Sequence, residues 1–189
     1  MSHLPKALIL LFDGVEEMEA IAPIDLLRRA GVQVVLASCG EALTITGRSS
    51  VKLQAEVLLA DLEEVLFDAL IVPGGPGCTA LRGNKTILEL VRKHYTSEAL
   101  LGAICAAPTV LQSAKVLENH TYTAHFSTAE ELTNRVADQP VVQDGHLITS
   151  QGAGTATLFA LALVKYLVGE TKAEEVAKSI SFQHKDVYE

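Results

Sequence analysis

From residue 7 onward, short runs of Val, Ile, Leu and Ala alternate with stretches whose apolar residues recur every three to four positions. Residues 7–12 read as a buried strand. Met18, Ile21, Ile24 and Leu27 then keep helical spacing up to the stop at Gly31. Pro23 is expected to confine the regular helix to the part beginning near Ala22, or to kink it. Residues 32–38 form the second strand, and 43–53 two short strands turning near Gly47. Residues 68–73 and 100–104 are further strands, each followed by a helix (84–97 and 106–114), with Pro108 tolerated in the first turn of the latter. A short strand at 122–125, a short helix at 128–135 and a hairpin turning at Asp144-Gly145 are expected next. Residues 152–155 open a long helix ending near Gly169, and 173–180 form the last one. Such alternation dictates an α/β fold: a doubly wound, mostly parallel sheet with helices on both faces. Reactive groups in these sheets lie beyond the carboxyl ends of the strands.

The 189 residues suit a single domain spanning 1–189, with a hydrophobic fraction of 49% and no Trp, so Leu, Ile, Val and Ala fill the core. A net charge of −8 without any Lys/Arg run argues against nucleic acid as a partner. Cys39, Cys78 and Cys105 form neither a CxxC pair nor a metal-ligand pattern, and fit a reducing compartment. The first apolar run lacks the features of a secretion signal, and 158–168 is too short, and interrupted by Lys165, to span a bilayer. The expected location is cytoplasmic, with no membrane partner. No cofactor is implied, because the Gly-rich segments lack the lysine of a phosphate loop and the spacing of a dinucleotide fingerprint.

Four strand-end loops hold the candidate chemistry. Cys105 stands where a buried strand turns into a helix among small residues, the setting of a nucleophile elbow. The following helix start is expected to depress its pKa. Position alone leaves a packing cysteine equally acceptable. The Pro73-Gly74-Gly75 loop tips the balance, since Gly74 and Gly75 can bring backbone donors up to the sulfur. His125 is a candidate proton carrier, balanced by its reading as a surface-loop histidine. Of the acidic residues after the first strand (Glu16, Glu17, Glu19), most read as solvated helix-start residues. One turned inward would be protonated and could donate to the sulfur.

Together Gly14-Val15-Glu16-Glu17-Met18-Glu19, residues 25–31, 72–75, 103–109 and 149–155 resemble the ThiJ/PfpI superfamily, in the branch of the parkinsonism-associated deglycases and their bacterial relatives. The likeness runs over nearly the whole chain. It implies a flavodoxin-like fold, usually dimeric, with Cys105 as nucleophile, Glu19 as the protonated glutamate beside it and His125 as the site histidine. It further implies that Gly75 and Ala106 supply anion-stabilising N–H groups, and that Arg29 and Arg48 occupy basic positions near the site or a dimer interface. Ala106 stands where protease-type branches carry His, which argues against a protease Cys-His pair. His184, followed by Lys185 and Asp186, does not supply the late His-x-Glu of glutamine amidotransferases. Cys39 and Cys78 are expected to be packing residues.

The expected function is a cofactor-free glyoxalase or deglycase acting on small α-oxoaldehydes such as methylglyoxal, or on their amine and thiol adducts. The rival is a redox sensor in which Cys105 is oxidised to sulfinate. Amidase or peptidase activity is a weaker alternative.

Overall fold

The computed structural model describes residues 4–62 and 66–183; His184 and its neighbours, on which the amidotransferase comparison rests, lie outside the described residues. Strands β1 (Lys6–Leu11), β2 (Gln33–Ser38), β5 (Val57–Leu58), β6 (Ala69–Val72), β7 (Leu100–Ile104), β8 (Val141–Asp144) and β9 (Leu147–Ser150) form one sheet. Their order is β5-β2-β1-β6-β7-β9-β8, parallel throughout except for β8. A separate hairpin pairs β3 (Thr44–Thr46) with β4 (Lys52–Gln54). Helices α1 (Glu17–Arg29), α5 (Ala156–Val168) and α6 (Glu170–Ser179) pack together on one face. On the other lie α2 (Cys78–Leu81), α3 (Lys85–Thr96) and α4 (Pro108–Ser113). This is the expected doubly wound, flavodoxin-like sandwich.

Burial on both faces explains the continuous apolar runs: β6 and β7 are buried at every position, and β1 at all but Lys6. The chain winds outward from β1 in one direction through β2 and from β6 in the other through β7. The switch point therefore falls between β1 and β6, where a crevice opens beyond the strand ends.

Five local expectations are corrected. Helix α1 starts at Glu17 and runs through Pro23, anchored by the Glu16 side chain, which accepts the Glu19 N–H at 2.9 Å, and by buried Ala20, Ile24 and Leu27. Residues 122–125 are not a strand: Thr123 N–H donates to the Thr149 hydroxyl at 2.9 Å and His125 N–H to the Cys105 carbonyl at 3.0 Å, so no ladder forms. The helix expected at 128–135 is a 3-10 turn (Phe126–Thr128) followed by turns. The Thr128 hydroxyl bonds the His125 carbonyl and ties down the backbone locally. Helix α4 begins at Pro108, because Ala106 and Ala107 are used in the turn that leaves β7. Helix α6 starts directly after Gly169 rather than at residue 173. Among the described residues, no helix is long and apolar enough to cross a membrane.

Candidate active site

Three neighbouring strand ends, those of β1, β6 and β7, deliver the site. Beyond β1, three of the four acidic side chains hold structure. Asp13 accepts the Thr46 N–H and Glu17 the Ser49 N–H, both at 2.8 Å, so they clamp the β3–β4 hairpin over the start of α1; Glu16 caps that helix. Arg48 N–H completes the clamp on the Val15 carbonyl, which brings Arg48 beside the crevice. Glu16 is itself buried, so the expectation of mostly solvated acids holds only in part. Glu19 alone turns inward and is 1% exposed.

Beyond β6, the Gly74 N–H donates to Glu19 Oε2 at 2.9 Å. That bond uses Gly74's donor, so Gly74 orients Glu19 rather than offering an oxyanion contact. A Cβ at Gly74 would stand 2.5 Å from Glu19 Oε2 and 2.6 Å from the Cys105 Cβ, which is why this position needs glycine. Gly75 adopts φ +113°, in the region open mainly to glycine, and its N–H turns to the Cys105 sulfur.

Beyond β7, Cys105 sits at φ +64°, a left-handed conformation that costs a non-glycine residue on the order of 1–3 kcal/mol. The strained turn is held by Cys105 N–H on the Ser150 carbonyl at 2.9 Å and by the Cys105 carbonyl accepting His125 N–H. It projects the half-buried thiol at Glu19, with which it hydrogen-bonds, and at the N–H groups of Ala106 and Gly75.

The electrostatics correct one expectation. Burial pushes the Cys105 thiol up to about 12, and the Glu19 carboxylate and their mutual hydrogen bond push the same way. The Ala106 and Gly75 N–H groups pull it down by less. A depressed thiol does not result, partly because α4 is only six residues long and starts three positions later. Glu19 is also raised, to about 7: burial dominates and Glu16 adds to it, opposed by the Cys105 hydrogen bond, the Gly74 N–H and the Arg48 charge. Two groups coupled this closely titrate as a pair. Glu19 is the member that gives up its proton near neutrality, and the proton that remains is held by the Cys105 thiol facing the carboxylate.

His125 lies at the edge of this pair. A Cβ on Gly152 would meet the His125 ring carbon Cδ2 at 3.2 Å and Glu19 Oε1 at 3.7 Å, so both groups flank Gly152. Burial and the charges of Arg48 and Arg135 hold the His125 ring below the usual histidine value. Its Nδ1 accepts the Ser127 N–H at 3.3 Å and contacts the Ser127 hydroxyl at 2.8 Å, which assigns the ring proton to Nε2. Arg29 stands apart: it ends α1, opposite Glu19, and pairs with Asp25 at 3.0 Å. Ser127 and Arg135 escape motif-based reading, since they follow no spacing pattern, and Gly152, read only as part of the 149–155 segment, proves to separate His125 from Glu19. Among the described residues, no group of three or more His, Cys, Asp or Glu side chains could hold a metal ion.

Two clefts adjoin the site. One of about 420 Å³ is walled by His125, Phe126, Arg135, Gln151 and residues 152–155. The other, of about 300 Å³, runs from Gly75 and Ala106 past Cys78 to Arg82 and Glu131.

Residues 5–166 match the DJ-1/PfpI family model. Protein dj-1beta of Drosophila melanogaster is 38% identical over 179 residues, covering 93% of this chain and 96% of that protein. Its crystal structure superposes with a TM-score of 0.93 over 96% of this chain and 100% of that one. The glutathione-independent glyoxalase DJR-1.2 of Caenorhabditis elegans is 35% identical, covering 95% of this chain and 98% of that protein. An oxidized DJ-1 from Toxoplasma gondii superposes with a TM-score of 0.91 at 28% identity, over 95% and 100% of the two chains. With fold and sequence agreeing along almost its whole length, the chain belongs to the DJ-1/PfpI family.

Proposed function

We propose that this protein is a cofactor-free, cysteine-dependent glyoxalase or deglycase acting on small α-oxoaldehydes or their adducts with amines and thiols. The observation that carries this reading is the Cys105–Glu19 pair facing the Gly75 and Ala106 N–H groups. A base with a pKa near the working pH is best placed to take a proton in a transition state, and Glu19 is pushed up to about 7. Cys105 Sγ adds to the aldehyde carbon while its proton passes to Glu19. The carbonyl oxygen becomes an alkoxide against the Gly75 and Ala106 donors, and reprotonation gives a hemithioacetal. The proton on that carbon is then removed and one is returned to the adjacent ketone carbon, leaving a thioester of a 2-hydroxy acid. The neutral His125 Nε2–H is suited to donate to the ketone oxygen during this shift. Water cleaves the thioester, and the thiol is restored. For an adduct, Cys105 Sγ replaces the amine or thiol at the former aldehyde carbon, the departing group takes the proton that Glu19 received from the thiol, and the enzyme hemithioacetal follows the same course.

The glyoxalase name of the nematode relative supports this reading. A steady-state methylglyoxal assay with buffer adducts controlled tests it: repeated turnover lost in Cys105→Ala is expected, and equal rates in the two proteins would refute it. The donors around the sulfur also favour a second reading, an oxidation sensor whose sulfinate they would hold. A sensor reacts once per cysteine, so turnover separates the two.

The working unit we propose is a homodimer through α1, whose Met18 and Ile21 are 59% and 46% exposed beside an apolar depression of about 480 Å³. Sedimentation at micromolar concentration is expected to give twice the 20.2 kDa chain mass; a monomer would contradict it.

A further inference from the structure

The larger cleft beside His125 is not needed for a three-carbon oxoaldehyde. Its volume of about 420 Å³ falls in the range that takes ligands of drug size, roughly 300–1,000 Å³. Its walls are mostly small or apolar: Ala124, Phe126, Ala137, Ala153. The Gln151 amide donates to the Ala137 carbonyl at 2.8 Å, and the Thr155 hydroxyl to the Gly152 carbonyl at 2.8 Å, so both side chains are tied to the fold. Arg135 is the one charged side chain among the described residues that line it, with no carboxylate opposite.

Arg135 also lacks a partner. Its Nε is buried without a hydrogen bond, and among the described residues its side chain makes no ion pair. Of the neighbouring acids, Glu131 pairs with Arg82. The backbone that carries Arg135 is fixed: Val136 N–H donates to the Tyr122 carbonyl at 2.8 Å, and the Val136 carbonyl accepts the Thr123 hydroxyl at 2.6 Å. A buried donor with no internal partner is costly to keep and rare. In a chain of net charge −8, this leaves a cationic pocket that adjoins the candidate site through His125 and Gly152.

We propose that Arg135 is a specificity-determining residue that binds the carboxylate of the thiol or amine portion of a carbonyl adduct while its carbonyl portion reaches Cys105. This rests on the proposed chemistry and narrows its substrate class. A planar guanidinium matches a carboxylate with two parallel hydrogen bonds. Among the described residues, Arg135 is the one permanent cation lining the cleft, which suits the single charge of a carboxylate.

Binding can be read without turnover, as protection of Cys105 from iodoacetamide followed by mass spectrometry. The probes are N-acetyl-S-methylcysteine, which carries the carboxylate and cannot react, its carboxamide, and inorganic phosphate. In the unmodified protein the acid is expected to protect at a concentration about tenfold lower than the amide. Arg135→Gln is expected to abolish that preference and Arg135→Lys to keep part of it. Equal protection by acid and amide, no protection by either, a preference that survives Arg135→Gln, or phosphate protecting as well as the acid would overturn the proposal. A protein that shows the carboxylate preference but never turns over methylglyoxal or its adducts overturns the catalytic reading and leaves the Arg135 site standing. Turnover without the preference does the reverse.

Discussion

Cys78 and Cys105 stand on either side of the same crevice, and both thiols are pushed upward. Cys78 opens α2, 2% exposed, with its sulfur 3.6 Å from the Pro73 carbonyl. Burial dominates its shift, and the charges of Cys105 and Glu19 add to it. Cys105 is less buried, strained at φ +64°, faced by two N–H groups and hydrogen-bonded to a carboxyl that titrates near neutrality. A helix start and burial are common to both, so neither makes a thiol reactive. What differs is a neighbour able to take the proton, together with donors placed for the anion that follows. Cys39, also pushed up to about 12 by burial, has neither.

The contrast breaks most visibly in turnover. Cys105→Ala is expected to lower the steady-state methylglyoxal rate by about 10³-fold or more, as removal of a covalent nucleophile does. Cys78→Ala is expected to stay within about threefold, its penalty falling on packing. Comparable losses in the two variants would erase the distinction.

Glu19→Gln tests the partner rather than the nucleophile. Loss of a general base costs about 10²–10⁴-fold, and kcat/KM is expected to fall in that range while the crevice keeps its shape. The rising limb of the wild-type pH–rate profile near 7 should disappear with it. A variant as active as wild type would make Glu19 a structural residue.

A smaller effect appears in stability. The folded-state pKa of Glu19, about 7, lies above the ordinary value of 4.5, so the folded state holds the proton more tightly. This contribution is fully present below pH 4.5 and is lost as pH rises through 7, amounting to about 3 kcal/mol. Urea denaturation at pH 4.5 and pH 8 is expected to show that loss in wild type relative to Glu19→Gln. Parallel behaviour would mean that Glu19 titrates normally.

Much of this was legible in the chain. The alternation of apolar runs marked the sheet and its strand-end loops, because burial on both faces writes continuous Val, Ile and Leu segments, whereas the strand order and its switch point emerge only in the fold. The elbow at Cys105 was legible from small residues after a strand. The residues alone did not single out Glu19, since Glu16, Glu17 and Glu19 look alike in composition; the family resemblance pointed to it, and helical phase and the Gly74 N–H show why it turns inward. The direction of the Cys105 shift was misjudged from its place before a helix, since that helix is short and the nearest charge is a carboxylate. Residues 122–135 were misread because their backbone is satisfied by side chains of Thr149 and Thr128 and by the Cys105 carbonyl, which leave no period to detect. Arg135 was hidden for the same reason.

The claim at the centre is that the Glu19 carboxylate makes Cys105 reactive at neutral pH by accepting its proton. The direct measurement is the pH dependence of Cys105 alkylation by iodoacetamide, followed by mass spectrometry in wild type and Glu19→Gln. In wild type the rate should rise with a midpoint near 7, where the pair loses its first proton. In Glu19→Gln the midpoint should move above 9, the ordinary thiol value, because burial of Cys105 remains and the base is gone. An unchanged midpoint, or one shifted to lower pH, would contradict it and leave Glu19 as no more than a repelling charge beside the thiol.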